Sequence, residues 1–328
     1  MDKLNGLTDS FGRKIEYLRL SVTDKCNLRC VYCMPPNGVK SLEHSDILTF
    51  EEIESIVRIL AKTGLKKVRF TGGEPFVRKD VIKLIEKISH TDGIAETGIT
   101  TNGILLEKYI DDLKRIGLKK INISLDTADG EQYRQITGFD SFDAVISAIE
   151  SAVNKGFDVK INCVPFFAEQ NYIDLAELAA KYPVSVRYIE LMPLGQGKAF
   201  NGVSSVDVLK KLEDKYGRAE KTDLSQKYKG PAEYYKFKDM KGSIGFISPI
   251  SGSFCSKCSR IRLTADGFLK LCLHYDIGLD IKSLLRTGSD DKTIEEKIKE
   301  VLLRKPKGHS FGSLSENAEN RKMIQIGG

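Results

Sequence analysis

The sequence predicts an α/β fold in which parallel strands form an open partial barrel, followed by a second and less regular region. Short apolar or β-branched runs alternate with helix-like segments at intervals of roughly 25 to 40 residues, which is the pattern of βαβ units. Six such runs are too few for a closed barrel of eight strands. Beyond Gly195 the alternation stops. The predicted strands are 18–22, 68–71, 97–100, 121–125, 159–164 and 184–191.

The segments between these strands carry signals of helix ends. Thr49 and Glu52 form a capping-box pattern, the apolar positions 53, 56, 57 and 60 share one helix face, and Gly64 ends the segment. Asp80 begins a second segment of the same kind. A further helical pattern around 294–302 lies in the less regular region.

Composition and charge narrow the function classes. The chain has 328 residues, of which 41% are hydrophobic and 29% charged, as in a globular protein of about two domains. Its net charge of +6 is spread along the chain and favours an anionic ligand over a nucleic-acid groove. No apolar run approaches a membrane span or a signal peptide, so we expect a cytoplasmic protein with reduced cysteines. We divide the chain into 1–195, 196–315 and a flexible tail, 316–328, which ends in Gly327-Gly328.

Polar residues cluster where predicted strands end. Gly72-Gly73-Glu74-Pro75, Thr100-Thr101-Asn102-Gly103 and Ser124-Leu125-Asp126 all lie at the carboxyl end of a strand. Parallel barrels build their active sites at this edge.

The first cysteine cluster, Cys26, Cys30 and Cys33, has the spacing C-x3-C-x2-C directly after the first strand. Three thiolates suit a 4Fe-4S cluster with one iron left open to bind a small molecule. The alternative is a zinc site that takes a fourth ligand from elsewhere, such as another cysteine or His44.

A second cysteine cluster, Cys255, Cys258 and Cys272, again supplies three thiolates. The alternative here is that four of the six clustered cysteines gather around one zinc ion. The seventh cysteine, Cys163, lies within a predicted strand and is expected to be a buried, inert thiol.

Three basic residues fall within predicted strands and are expected to face the barrel interior: Arg19, Arg69 and Lys160. A buried cation without a counterion is costly, so this placement predicts a bound anion such as phosphate. The alternative is that some of them point outward or pair with Glu74 or Glu190. The chain has no phosphate loop to bind such an anion otherwise.

The first cluster resembles the signature of the radical S-adenosylmethionine enzymes, with Tyr32 before the last cysteine and Gly72-Gly73-Glu74-Pro75 after the next strand. This resemblance implies a partial, six-unit TIM barrel. It also implies a 4Fe-4S cluster whose open iron binds S-adenosylmethionine and cleaves it to a radical that takes hydrogen from the substrate.

A closer resemblance covers nearly the whole chain. It is a resemblance to the GTP 3',8-cyclase family of molybdenum cofactor biosynthesis, whose members are lyases. The matching parts are the segments 19–36, 68–80, 124–138, 187–195 and 254–273 and the Gly-Gly terminus. It implies a second 4Fe-4S cluster in the C-terminal region, which binds the guanine of GTP. Hydrogen would leave C3' of the ribose, and the sugar radical would add to C8 of the base.

The same resemblance implies roles for individual residues. Arg187 matches a catalytic arginine, and the GTP-contacting positions are Arg19, Arg69, Thr100, Lys160, Arg260, Ile261 and Arg262. S-adenosylmethionine would contact Tyr32, Gly73, Ser124 and Met192, and the cluster ligands would be Cys26, Cys30, Cys33, Cys255, Cys258 and Cys272. The Gly-Gly terminus would enter the active site.

The resemblance also implies partners. These are GTP, an electron donor and a downstream cyclic pyranopterin monophosphate synthase that takes the product, with no nucleic acid and no membrane, and a homodimer is left open. The alternatives are another radical S-adenosylmethionine enzyme with an auxiliary cluster, a zinc-stabilised nucleic-acid-binding protein and an electron-transfer protein. The absence of tryptophan and the dispersed basic residues disfavour the nucleic-acid binder. An electron-transfer protein would not need the polar residues at the carboxyl ends of the strands.

Overall fold

Six parallel strands connected by helices form the N-terminal part of the computed structural model, which describes residues 6–35, 37–223, 230–252, 254–309 and 321–327. All six predicted strands are present, with ends within a few residues of the prediction. The elements in order are β1 (Tyr17–Ser21), α1 (Phe50–Lys62), β2 (Lys67–Thr71), α2 (Val81–Ser89), β3 (Glu96–Thr101), α3 (Leu106–Ile116), β4 (Lys120–Ser124), α4 (Gly130–Thr137), α5 (Phe142–Asn154), β5 (Asp158–Cys163), α6 (Ala176–Lys181) and β6 (Ser185–Ile189).

The C-terminal part extends the same sheet at both of its edges. Its elements are α7 (Ser205–Tyr216), β7 (Glu220–Thr222), β8 (Glu233–Lys236), β9 (Ser243–Ile247), β10 (Arg260–Leu263), β11 (Phe268–Lys270), β12 (Gly278–Asp280), α8 (Ile281–Arg286), α9 (Asp291–Leu302) and α10 (Met323–Ile326). The strand order is β12-β11-β10-β1-β2-β3-β4-β5-β6-β9-β8-β7. Because β10 pairs in parallel with β1 and β9 with β6, the barrel is flanked by one further parallel strand on each side.

Alternation along the strands separates the core from the barrel interior. In β1, Leu18 and Leu20 are fully buried in the hydrophobic core, and Arg19 between them faces the other side of the sheet. Arg19 is in register with Arg69 of β2 and with Arg262 of β10. The parallel register therefore places these three arginines side by side.

The helix signals read from the sequence are present. Thr49 caps α1, accepting from the Glu52 backbone N–H while the Glu52 side chain accepts from the Thr49 N–H. Helix α2 begins after Asp80, as predicted, although Asp80 has a left-handed backbone (φ 60°) and its side chain makes no capping hydrogen bond. The helix predicted around 294–302 is α9.

The C-terminal tail departs from the flexible segment predicted by composition. Residues 323–326 form the short helix α10, and Ile324 and Ile326 are buried. The apolar side chains explain the difference, because docking them removes apolar surface from water. The remaining part of the predicted tail, 316–320 and Gly328, lies outside the described residues.

Candidate active site

A cavity of about 340 Å³ in the barrel interior is lined by both cysteine clusters. The loop after β1 carries Cys26, Cys30 and Cys33 at the carboxyl edge of the barrel. Cys255 and Cys258 precede β10, which runs parallel to β1, so they approach the cavity from the amino edge. The fold therefore places one triad at each end of a single cavity.

The loop of the first triad is held by the Gly-Gly-Glu-Pro segment. The N–H of Gly73 donates to the carbonyl of Thr23 and that of Glu74 to the carbonyl of Lys25, both at 2.8 Å. A Cβ atom on Gly73 would lie 2.4 Å from the Lys25 carbonyl oxygen. Glycine is therefore required here for the close approach of two backbone segments.

The side chain of Glu74 holds the Gly-Gly-Glu-Pro segment in place. Its buried carboxylate accepts hydrogen bonds from the Thr101 hydroxyl and from the backbone N–H groups of Phe76 and Asn102. Burial raises the pKa of Glu74 to about 7, and these hydrogen bonds limit the rise. The carboxylate thus ties the strand ends of β2 and β3 together, a role the sequence did not indicate.

The surroundings of the first triad keep its three thiols protonated unless a metal binds them. Burial, followed by the charges of Cys26 and Asp126, raises the pKa of Cys33 to about 12. Burial also raises the pKa of Cys26 and of Cys30. Protein surroundings alone thus disfavour three thiolates, whereas a bound metal deprotonates a coordinating thiol. Three soft donors facing one cavity fit a 4Fe-4S cluster with an open iron.

Tyr32 and Asp126 form a pair beside this triad. The Tyr32 hydroxyl donates to Asp126 Oδ2 at 2.8 Å, and Asp126 Oδ1 accepts from the Val164 N–H at 2.9 Å. Burial raises the pKa of Asp126 to about 6. Both residues line the cavity, and their hydrogen bond orients Tyr32, which the family resemblance assigns to S-adenosylmethionine.

The second triad lies among cations. Burial would raise the pKa of the Cys258 thiol, but the charges of Lys305 and Arg260 together with hydrogen bonds from Arg260 outweigh it and lower that pKa. The Arg260 guanidinium stacks 4.8 Å from the Phe254 ring centroid, and both residues line the cavity. Three thiolates in a basic setting fit a second cluster bound next to an anionic ligand.

The cations of the barrel interior affect each other strongly. Burial lowers the pKa of Arg19 to about 10, and the neighbouring Arg260 and Arg69 contribute in the same direction. Burial and the charge of Arg19 also lower the pKa of Arg262. Although burial would raise the pKa of Tyr17, the charges of Arg69, Arg19 and Arg260 lower it to about 8. This concentration of positive charge predicts an anionic ligand.

Arg187 stands behind the cavity wall. Its Nε donates to Oδ1 of Asn162 at 2.9 Å, and Asn162 lines the cavity. The Tyr234 ring crosses the strand at Gly245, where a Cβ would lie 2.9 Å from the ring and 3.0 Å from Arg187 Cγ. Asn162 and Tyr234 therefore fix the arginine from two sides.

The structure brings most of the sequence-predicted site residues to this cavity. Besides the six cysteines, the lining includes Arg19, Tyr32, Gly73, Thr100, Ser124, Met192, Arg260 and Arg262. Arg69, Lys160 and Arg187 lie outside the lining, and the side chain of Ile261 packs in the hydrophobic core because it points away from the interior. Any contact of Ile261 with a ligand would have to come from its backbone.

The two carboxylates considered as alternative partners of the basic residues have other roles. Glu74 holds the strand ends described above, and Glu190 accepts from the N–H groups of Ile250 and Ser251 at 3.0 Å each. Lys160 has Asp158 3.9 Å away. Burial, followed by the charge of Arg187, lowers the pKa of Lys160 to about 7.

Family models match both parts of the chain: the Radical SAM superfamily over residues 20–181 and Molybdenum Cofactor Synthesis C over 184–311. The structure is similar to that of Streptococcus suis SuiB bound to S-adenosylmethionine, with a TM-score of 0.62 and 17% identity, covering 88% of this chain and 68% of that chain. Fold and site define a radical S-adenosylmethionine enzyme, and the predicted fold class is confirmed.

Relatives over the full length specify the family. The chain is 41% identical to the GTP 3',8-cyclase of Clostridium perfringens (strain SM101 / Type A) and 42% identical to that of Pelotomaculum thermopropionicum, in each case over 98% of this chain and 100% of the relative. The chain belongs to the GTP 3',8-cyclase family. This membership confirms the predicted cofactors, two 4Fe-4S clusters and S-adenosylmethionine. Among the described residues, no helix combines the length and apolar character needed to cross a bilayer.

Proposed function

We propose that this chain converts GTP into (8S)-3',8-cyclo-7,8-dihydroguanosine 5'-triphosphate, the first step of molybdenum cofactor biosynthesis. The observation that carries the proposal is one cavity with a cysteine triad at each end and a group of arginines between them. A reaction that joins C3' of a ribose to C8 of its own base needs the whole nucleotide held in one conformation.

The cysteines divide into two ligand sets. In this proposal Cys26, Cys30 and Cys33 hold the first cluster, and Cys255, Cys258 and Cys272 hold the second. When bound, the first cluster and S-adenosylmethionine supply one-electron reduction and hydrogen-atom abstraction, and the second cluster supplies an open iron for guanine. Tyr32, Gly73, Ser124 and Met192 would line the S-adenosylmethionine side.

The arginines would bind the triphosphate. Arg19, Arg260 and Arg262 line the cavity near the second triad, and Arg69 of β2 and Lys160 of β5, outside its lining, would add positive charge from the barrel wall. Arginine suits this task because its fork of donors matches phosphate oxygens and it stays charged when buried. The Arg69 guanidinium is fixed by the Ile99 carbonyl at 3.1 Å and the Tyr17 hydroxyl at 2.9 Å, which pre-organises the group.

Arg187 would act at the reacting sugar from behind Asn162. Its guanidinium is held by Asn162 and keeps a positive charge close to the cavity wall. The C-terminal tail would complete the site, because the Gly327 carbonyl accepts a hydrogen bond from Arg262 and a Cβ on Gly327 would lie 2.7 Å from the Thr71 hydroxyl oxygen. Deletion of Gly327-Gly328 should therefore impair turnover.

The proposal extends to the setting of the reaction. The product would be taken by a cyclic pyranopterin monophosphate synthase, and an electron donor would reduce the first cluster. Reduced cysteines and a GTP substrate fit the cytoplasmic location expected from the sequence.

The test is anaerobic reconstitution followed by iron and sulfide counting and incubation with GTP, S-adenosylmethionine and dithionite. We expect two clusters per chain and formation of 5'-deoxyadenosine that GTP stimulates, together with the cyclic product. Replacing GTP with ATP is the control, because the guanine contact should be lost while the triphosphate is unchanged. If 5'-deoxyadenosine forms at the same rate with and without GTP and no cyclic product appears, the proposal fails.

A further inference from the structure

Two buried cations bind the backbone around the second triad without lining the cavity: Arg13 and Lys305. Neither belongs to the cysteine motif or to the arginines of the barrel interior. Their charged groups donate to five backbone carbonyls, and one of these belongs to Cys255.

Arg13 holds the segment that bears Cys255. Its Nη1 donates to the Cys255 carbonyl at 2.8 Å and to that of Lys307 at 3.1 Å, and its Nη2 donates to the carbonyl of Pro306 at 2.6 Å. The Arg13 side chain is 8% exposed and forms an ion pair with Asp9, whose side chain is fully buried. The ion pair orients the guanidinium, whose remaining donors join the Cys255 backbone to the segment 306–307 next to Lys305.

Asp9 prepares Arg13 for this contact. Asp9 Oδ1 accepts from the N–H groups of Phe11 and Arg13 at 2.9 and 3.0 Å, and the Gly12 N–H donates to the Asp9 carbonyl at 3.1 Å. Gly12 has φ +74°, which the turn requires. The N-terminal turn 9–13 is thus shaped to present one arginine to a loop 242 positions away in sequence.

Lys305 holds the segments that bear the other two cysteines. Its ammonium group donates to the Arg260 carbonyl at 2.8 Å and to the Leu271 carbonyl. Arg260 lies two residues after Cys258, and Leu271 directly precedes Cys272. Lys305 is 3% exposed, and among the described residues no carboxylate lies within ion-pair distance of it. A buried ammonium group in such surroundings needs a negative charge nearby.

We infer that Arg13 and Lys305 are positioning residues for the second cluster, which fix the three cysteine-bearing segments and place a positive charge beneath the cluster. The inference rests on the proposed ligand set Cys255, Cys258 and Cys272. A 4Fe-4S core bound by three thiolates carries about one net negative charge, and about two after uptake of one electron. Lys305 supplies the compensating charge and stabilises the reduced form more than the oxidised form.

The test measures the second cluster directly in the reconstituted full-length protein. EPR-monitored redox titration gives the potential of each cluster, and release of iron to a chelator gives its retention. In Lys305→Met, the reduced-to-oxidised ratio of the second cluster at fixed potential should fall at least tenfold, which is about 59 mV for one electron. Lys305→Arg keeps the positive charge, so its reduced-to-oxidised ratio should stay within roughly threefold of the wild-type ratio.

Arg13→Gln tests the positioning role separately. Loss of the Arg13 hydrogen bonds to the carbonyls of Cys255, Pro306 and Lys307 should speed iron release from the second cluster by about tenfold or more. Iron release from the first cluster should not change. Arg78→Gln is the matched control, because it removes an arginine that clamps two other carbonyls, those of Val22 and Leu48, at 2.7 Å each. It should leave iron release from the second cluster at the wild-type rate.

The outcomes separate this inference from the proposed function. If wild type and Cys255→Ala contain the same iron, the ligand assignment fails. If wild type holds two clusters but Lys305→Met keeps the wild-type potential and Arg13→Gln the wild-type iron release, the ligand assignment stands and the inference is wrong. If Lys305→Met does not fold, the comparison of iron release between Arg13→Gln and Arg78→Gln tests the inference by itself: equal rates from the second cluster would show that it is wrong.

Discussion

The two triads share a ligand count but differ in what surrounds them. The first is held by backbone pairing with the Gly-Gly-Glu-Pro segment, and its charged neighbours are the buried carboxylates of Glu74 and Asp126 and the solvent-facing Arg29, which donates to the Cys26 carbonyl at 2.8 Å. The second is surrounded by Arg13, Arg260 and Lys305. The pKa of each thiol in the first triad is raised, chiefly by burial, whereas cations lower the pKa of Cys258.

This difference matches two tasks. S-adenosylmethionine carries a positive charge, so a site for it does not benefit from cations, and shape and hydrogen bonding have to position it. A nucleoside triphosphate carries several negative charges, so the site for it requires cations. In the proposed function this electrostatic difference makes the first-triad side the cofactor side and the second-triad side the substrate side, although both sides use three cysteines.

Loss of one cysteine from either triad is the largest expected effect. Cys26→Ala should abolish all cleavage of S-adenosylmethionine, because the first cluster is lost. Cys255→Ala should abolish the cyclic product but leave the first cluster and its slow, GTP-independent formation of 5'-deoxyadenosine. Iron counting and chromatography of both products check this. If Cys255→Ala also lost all cleavage, the two sides would not be separable.

Gly73→Ala should damage the cofactor side alone. A Cβ here would lie 2.4 Å from a backbone oxygen of the first-triad loop, so the loop has to move. We expect roughly a hundredfold loss of S-adenosylmethionine cleavage, since displacement of reacting groups by about 1 Å costs that much. The control is Gly130→Ala, where the nearest atom would be at an ordinary 3.6 Å and activity should stay at the wild-type level. Equal activity of both variants would contradict the close approach.

Arg262→Gln should damage the substrate side alone. Arg262 lines the cavity and donates to the Gly327 carbonyl, so its loss removes one contact to the tail and, in the proposed function, one contact to the triphosphate. We expect KM for GTP to rise by roughly tenfold to a hundredfold, the usual value of a hydrogen bond to a charged group. The GTP-independent cleavage of S-adenosylmethionine should not change. Steady-state kinetics with each substrate varied in turn distinguishes this result from a general loss of stability.

The sequence predicts the parts of this molecule that local patterns encode. Six strands follow from their apolar runs, and the cysteine triads follow from their spacing. The inward direction of Arg19 follows from alternation with Leu18 and Leu20.

Contacts between distant segments leave no such pattern. Nothing near Arg13 in sequence indicates that it reaches Cys255, and nothing near Lys305 indicates the carbonyl of Arg260. The sequence analysis predicts no strand after residue 191, whereas the structure has β7 to β12, of which β9 and β10 pair with β6 and β1, far away in the chain. The tail was predicted to be loose because two isoleucines in a short polar segment do not by themselves show which surface they dock on.

The pH dependence of GTP binding should separate Lys160 from the arginines of the substrate side. The Lys160 pKa of about 7 means that its ammonium group is charged below pH 7 and loses its proton above it, whereas arginine stays charged. KM for GTP should therefore rise by roughly fivefold between pH 6.5 and 8.5 as one charged contact is lost. In Lys160→Arg this rise should be absent, and since the ionisation of GTP itself is the same for both proteins, the comparison isolates the lysine. A parallel rise in both would place Lys160 outside the triphosphate site and leave the positive charge of the substrate side to the arginines alone.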